Sequence, residues 1–237
     1  LSTVPIYNLN ISKSGGTATA ATLSDIDMTG AMGASAMTTT AQPLRILNNL
    51  TIISTGSPTL NANGQNVTVG GNFIINTGAT YTPNLNTTIF NGTANQQFDN
   101  NGTITTALNN VTIDKAGGTL TLGGSATTYT VAGLLTLNKG VLNDGGKTIQ
   151  ATANVVNNAT HTGTGNLTLS GSATQTLSGD GNGVYGNVIL NNASTPGVTV
   201  SANLSISGTL TLAGTGQSIF DINQYTLSIT SNSTTAI

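Results

Sequence analysis

Apolar residues along this chain alternate with small polar ones in short bursts. "TLTL" at Thr119–Leu122, "LLTL" at Leu134–Leu137 and "NLTL" at Asn166–Leu169 put every second side chain on one side, the period of a half-buried β-strand. Between the bursts stand "KAGG", "GGSAT", "NKG" and "NDGG", residues that accept tight or left-handed backbone. No window carries apolar residues at i, i+3, i+4 and i+7, so helix is excluded. From Asn109 to Ile149 three strands and three corners recur about every 20 residues. That is the rung of a β-solenoid, in which parallel turns stack at about 4.8 Å and bury apolar residues against the turns above and below. The alternation points Leu120, Leu122, Val131, Leu135, Leu137, Ile149, Leu167 and Leu169 inward.

A longer repeat overlies the short one. "FNGTANQQF" (Phe90–Phe98) returns as "LSGSATQTL" (Leu169–Leu177), and "LNNVTIDKAGGTLTL" (Leu108–Leu122) as "YGNVILNNASTPGVTV" (Tyr185–Val200). "VAGLLTL" (Val131–Leu137) returns as "ISGTLTL" (Ile206–Leu212), and "NLNISKSGGTAT" (Asn8–Thr19) anticipates the stretch from Asn110. Segment order is kept, so the chain reads as three degenerate copies of about 78 residues (about 1–86, 87–165 and 166–237). Four rungs per copy predict one all-β domain over 1–237, a parallel β-helix or β-solenoid of roughly 11–12 rungs and about 55 Å. A β-sandwich fits less well, because its strands come every 8–12 residues or so without ordered repeat blocks. The first copy holds an insertion within 20–43, with Met28, Met32 and Met37. It is read as an irregular rung or as a loop on a binding face.

Composition narrows the function classes. The chain is 37% hydrophobic and only 5% charged, with net charge −2, and 45 of its 237 residues are Thr while Glu and Trp are missing. Hydroxyls and amides must therefore solubilise it, which suits an extracellular or cell-surface protein. Lys13, Arg45, Lys115, Lys139 and Lys147 are scattered and form no footprint for nucleic acid. No apolar run is long enough for a membrane span, and "LSTVPIYNLN" has no leader pattern. Without cysteine there are no disulfides or thiolate metal sites. Solenoid ends expose strand edges, and neither terminus reads as a cap. The expected partners are therefore neighbouring rungs, of a longer polypeptide or of other copies stacked end to end, with surface glycans as a further class.

Candidate chemistry is sparse. His161 is the sole histidine; it aligns with Tyr81 and reads as a corner residue, with no partners for a triad or a multi-His metal site. The acids are Asp25, Asp27, Asp99, Asp114, Asp144, Asp180 and Asp221. Most sit in corners such as "NDGG", where they cap local backbone, and only Asp25 and Asp27 form a close pair. Asp180 and Asn182 in "SGDGNG" offer oxygen donors for calcium but lack further acids, so a turn is expected. Thr-x-Thr pairs occur at Thr17/Thr19, Thr103/Thr105, Thr119/Thr121, Thr128/Thr130 and Thr209/Thr211. Ice binding would need them on one face of successive rungs; they are expected on different strands, as outward fillers. Asn-x-Ser/Thr tripeptides begin at Asn10, Asn49, Asn66, Asn86, Asn91, Asn101, Asn110, Asn158, Asn166, Asn192, Asn203 and Asn232, as expected by chance in such a composition. No catalytic, cofactor-binding or metal residue is assigned, and the chain reads as non-catalytic.

The run F-x-G-x-x-x-Q-x-[FL], then "NNVTI", "GGTLTL" and "VAGLLTLNKGVLNDGGKTI", resembles the repetitive β-solenoid regions of giant secreted or cell-surface adhesins of the Bacteroidetes type, associated with type IX secretion. The resemblance covers Asn8 to Ile229. It implies a secreted structural or adhesive stalk, with a self-assembling filament protomer as the alternative, and transfers no catalytic residues. A β-helix carbohydrate-active enzyme or an ice-binding protein fits the residues less well.

Overall fold

The structure, a computed structural model, describes residues 9–11, 20–22, 43–53, 57–213 and 219–237. It is an all-β, parallel β-solenoid with no helix among the described residues. A turn consists of three short strands. Leu44–Ile46, Leu50–Ile52 and Thr59–Asn61 make the first complete one, and Val198–Val200, Leu204–Ile206 and Leu210–Leu212 the eighth. Equivalent strands pair in parallel to build three faces. A 17-stranded sheet wraps the first two, and a four- and a five-stranded sheet share the third.

On the first face Leu44, Val67, Thr88, Val111, Leu135, Val155, Leu177 and Val200 stand in one register line. Its seven steps span 156 residues, a mean near 22 per turn. The expected rung count is therefore too high. The chain makes about eight turns, not 11–12, and the stack from Leu44 to Leu212 is about 40 Å long. The surplus residues lie in corners that fold polar side chains under the neighbouring turn. Leu9 pairs directly with Leu50, so there the ladder takes a single step across 41 residues. Asp25, Asp27, Met28, Met32 and Met37 lie outside the described residues.

The long repeat is also out of phase with the turns. Phe90 ends a first-face strand in the third turn, whereas Leu169 ends a third-face strand in the sixth. One copy thus advances three turns and two further strands rather than four turns. Successive copies of a motif appear on different edges of the rod.

The inward residues expected from alternation are all buried. Phe73 stacks on Phe98 at 5.0 Å, Phe98 meets Tyr129 at 5.0 Å, and Tyr81 packs edge-on against Phe73 at 5.1 Å. Such ring pairs add about 0.5–1.5 kcal/mol each beyond area burial. Asparagine explains the rest of the ladder. At one corner Asn72 N–H donates to Asn49 Oδ1 (2.8 Å) and Gln97 N–H to Asn72 Oδ1 (2.9 Å). Thr119 N–H donates in the same way to Asn95 Oδ1 (3.0 Å). Each Asn accepts the corner N–H of the following turn, which strand pairing leaves over.

Candidate functional site

Among the described residues ten polar or charged side chains are buried, and these are the places where chemistry could reside. The repeated motif accounts for two of them. In "FNGTANQQF" the Gly92 N–H donates to Gln96 Oε1 (3.0 Å), while Gln96 Nε2 donates to Val69 O (3.0 Å) and Gly71 O (2.5 Å) of the preceding turn. In "LSGSATQTL" Gly171 N–H donates to Gln175 Oε1 (2.7 Å), and Gln175 Nε2 to Ala151 O (3.0 Å) and Ala153 O (2.6 Å). The glycine is needed because a Cβ at Gly92 would overlap Gly70 O, and one at Gly171 would sit 2.7 Å from Thr152 O. The motif is therefore a corner in which one buried amide fastens two turns. Its spelling signalled the corner, but not that the glutamine points inward.

The following turn adds a donor to each corner. Lys115 is 1% exposed, and its Nζ donates to Gly92 O (2.8 Å), Ala94 O (2.8 Å) and Gln96 Oε1 (2.6 Å). No carboxylate pairs with it among the described residues, and burial pulls its pKa down to about 8. Asn192, at the equivalent place in the next copy, donates from Nδ2 to Ala173 O (2.8 Å) and Gln175 Oε1 (2.9 Å). Lys115 was read only as one of five scattered bases. No signal in the sequence marked it as buried beyond its alignment with Asn192.

His161 differs from its expected role. It lies in the strand Thr160–Thr162, pointing inward between Leu142 and Tyr185, because an offset of one residue from outward Thr160 and Thr162 turns it to the core. Its Nε2 faces Asp144 Oδ2 at 3.1 Å, and Gly186 N–H donates to Nδ1 (3.2 Å). The ring is thereby held as the Nε2–H tautomer donating to the carboxylate. Asp144 Oδ1 also accepts Gly146 N–H and Gly165 N–H, each at 2.8 Å. Burial opposes its charge, but the hydrogen bonds from His161, Gly165 and Gly146 outweigh it and hold the carboxyl below its ordinary range. With both side chains at 1% exposure or less, the pair ties turns together and meets no solvent. The Tyr185 hydroxyl beside it is buried without a partner, and burial pushes its pKa up.

The remaining candidates fall as turns and fillers. Asp180 Oδ1 accepts Asn182 N–H (2.9 Å), and Asn182 holds its carboxyl below the usual range. Asp221 caps Asn223 N–H in the same way (2.8 Å). No cluster of three metal-ligating side chains occurs among the described residues. Of the Asn-x-Ser/Thr positions, Asn49, Asn66, Asn101, Asn110, Asn158 and Asn203 each accept an N–H of the next turn. Asn86 and Asn192 are buried, and Asn232 is exposed.

The third face carries a further feature. Its two sheets meet between Thr103–Ile104 and Thr128–Val131, where pairing lapses to the lone bridge Leu108–Val131. Ala126 N–H still donates to Asn100 O (3.0 Å), and Leu108 N–H to Thr130 O (2.9 Å). Between these ties the third turn has four residues more than the fourth. Beside them lies a cleft of about 280 Å³ edged by Thr105, Thr106, Thr128 and Thr130. Against known protein families, curated proteins and solved structures, the chain finds no match.

Proposed function

We propose that this chain is a non-catalytic structural and adhesive stalk segment of a secreted bacterial cell-surface protein, of the giant-adhesin kind its motifs resemble. The observation that carries the reading is where the buried polar groups point. Gln96, Lys115, Asp144, His161, Gln175 and Asn192 all bond across turns, so the buried chemistry serves lengthwise cohesion. A stack fastened this way resists bending and presents its outer faces along its whole length. Among the described residues the strands Phe220–Asp221 and Leu227–Ile229 pair only with the turn before them, and a further turn fits that edge by the same ladder, from the same polypeptide or from a second copy.

The test combines shape and binding. Solution scattering of the purified chain should give a rod, and the chain coupled to beads should retain them on a glycan or cell surface. A polysaccharide depolymerisation screen addresses the enzymatic alternative. Turnover abolished by Asp144→Asn or Asp99→Asn would overturn the stalk reading. The intact mass of the native protein separates the two assembly modes: a value several times that of this chain supports the long stalk, and a value near 24 kDa in fibre-forming material supports the filament protomer.

A further inference from the structure

The outward positions of the third face form two ranks, each interrupted at the cleft where the two sheets meet. The first runs through Thr59, Thr80 and Thr103 and continues below the cleft through Thr128, Thr148 and Thr209, with Asn166 and Asn187 in between. The second, two residues along each strand, holds Thr82, Thr105, Thr130, Thr168 and Thr211. Threonine thus fills six of the eight places in the first rank and five of the eight in the second, against about one residue in five overall. The other places are Asn61, Asn166, Asn187, Gln150 and Ile189, and none is charged. The intervening residues, Leu60, Tyr81, Tyr129, Ile149, Leu167, Val188 and Leu210, are the buried ones, so the face presents two threonine-rich patches, one on each side of the cleft. The Thr-x-Thr pairs lie on different strands as expected, and Thr119/Thr121 is on the second face, but Thr103/Thr105, Thr128/Thr130 and Thr209/Thr211 share the third, where Thr80/Thr82 joins them.

We propose that this face binds ice. Within each of its two sheets the outward positions repeat at about 4.8 Å from turn to turn and about 6.6 Å along each strand. In tetrahedrally bonded water, oxygens lie about 2.75 Å apart, which places second neighbours about 4.5 Å apart, close to the turn spacing. Threonine's β-branch restricts χ1, so methyl and hydroxyl are held in place before any ligand arrives and little rotamer freedom remains to be lost. Cross-turn contact fixes them further: Thr105 Oγ1 donates to Thr82 Oγ1 at 3.0 Å. A neutral solid lattice rejects ions, and a face without charge suits it. The other two faces carry Arg45, Asp99, Asp114 and Lys139 among their outward positions. A cleft lies at the middle of the ranks. Its volume of about 280 Å³, lined by Thr105, Thr106, Thr128 and Thr130 together with Ile104, Leu108 and Tyr129, has room for on the order of ten waters.

This inference goes beyond the stalk reading and stands without it. The full chain is assayed for thermal hysteresis, ice-crystal shaping and inhibition of ice recrystallisation, alongside Thr128→Lys and Thr82→Lys on the third face and Thr136→Lys on the first. Circular dichroism and urea denaturation confirm folding of each. The expected result is hysteresis and faceted crystals for the parent and Thr136→Lys, with loss of most of the hysteresis in both third-face variants. No activity in the folded parent, or equal loss in Thr136→Lys, overturns the proposal. Pull-down by crystalline cellulose or chitin without any effect on ice also overturns it, assigning the face to a solid polysaccharide.

Discussion

The corners at Gln96 and Gln175 are the same device in two chemical versions. In both, a glycine donates to the glutamine Oε1 and the amide Nε2 reaches two carbonyls of the turn before. They differ in what the next turn supplies. At the first it is the ammonium of Lys115, with three neutral acceptors; at the second it is the amide of Asn192, with two. A neutral donor satisfies the corner at little electrostatic cost. The cation makes stronger bonds, but its charge must be held in a place from which water is excluded. The two corners therefore have equal connectivity and unequal sensitivity to mutation and pH.

The largest expected effect breaks the glutamines. Gln96→Leu leaves Gly92 N–H, two carbonyls and the Lys115 ammonium short of a partner, and is expected to cost about 3–5 kcal/mol. Gln175→Leu strands only neutral groups and should cost about 2–3 kcal/mol. Urea denaturation midpoints for the pair test the difference. Equal losses would mean that the ammonium adds nothing to the first corner.

Next in size are the glycines, which fit beneath the preceding turn. An added methyl at Gly92 overlaps Gly70 O outright, whereas at Gly171 it comes to 2.7 Å from Thr152 O and 2.9 Å from the Gln175 amide carbon. Gly92→Ala and Gly171→Ala should each cost about 1–3 kcal/mol by overpacking, with Gly92→Ala the worse. Thermal melts of the two variants rank them, and a neutral Gly92→Ala would show that the corner yields.

How far these features were legible depends on which periodicity carried them. Alternation places Leu120, Leu122, Val131, Leu135, Leu137, Ile149, Leu167 and Leu169 correctly because a parallel strand has one inward side chain in two. The turn length was read short because corners vary: five residues separate Phe90 from Gln96, yet at Lys115 the strand Asn110–Gly123 runs through the bend without a break. A period of about 78 was real but did not count turns, since nothing obliges a duplicated segment to close a whole number of them. Polar residues deceived most. His161 reads as a corner residue, Lys115 as a scattered base and Gln96 as part of a repeated motif, and only the register shows that each meets a matching donor or acceptor one turn away. The Thr ranks failed for the same reason, because face assignment needs the true turn length.

The smallest effect separates the corners by pH. Lys115 has its folded pKa near 8, below the ordinary value of about 10.4 that the unfolded chain adopts. Between those values the unfolded state binds more protons, so stability rises with pH. Below about pH 8 both states are protonated and the cost of burying the charge is present in full. The gain from pH 7.5 to 9.5 is expected to be on the order of 1–2 kcal/mol. Tyr81, Tyr129 and Tyr185 act oppositely, since burial raises each phenol and unfolding is favoured once free phenols ionise near pH 10. The window therefore closes below that value. Urea denaturation at pH 7.5, 8.5 and 9.5 should show the rise in the parent and in Asn192→Leu, whose corner has no titrating donor. Lys115→Met should show none, because its corner no longer carries a proton to lose. A rise that survives Lys115→Met would place its source elsewhere and remove the distinction between the two corners.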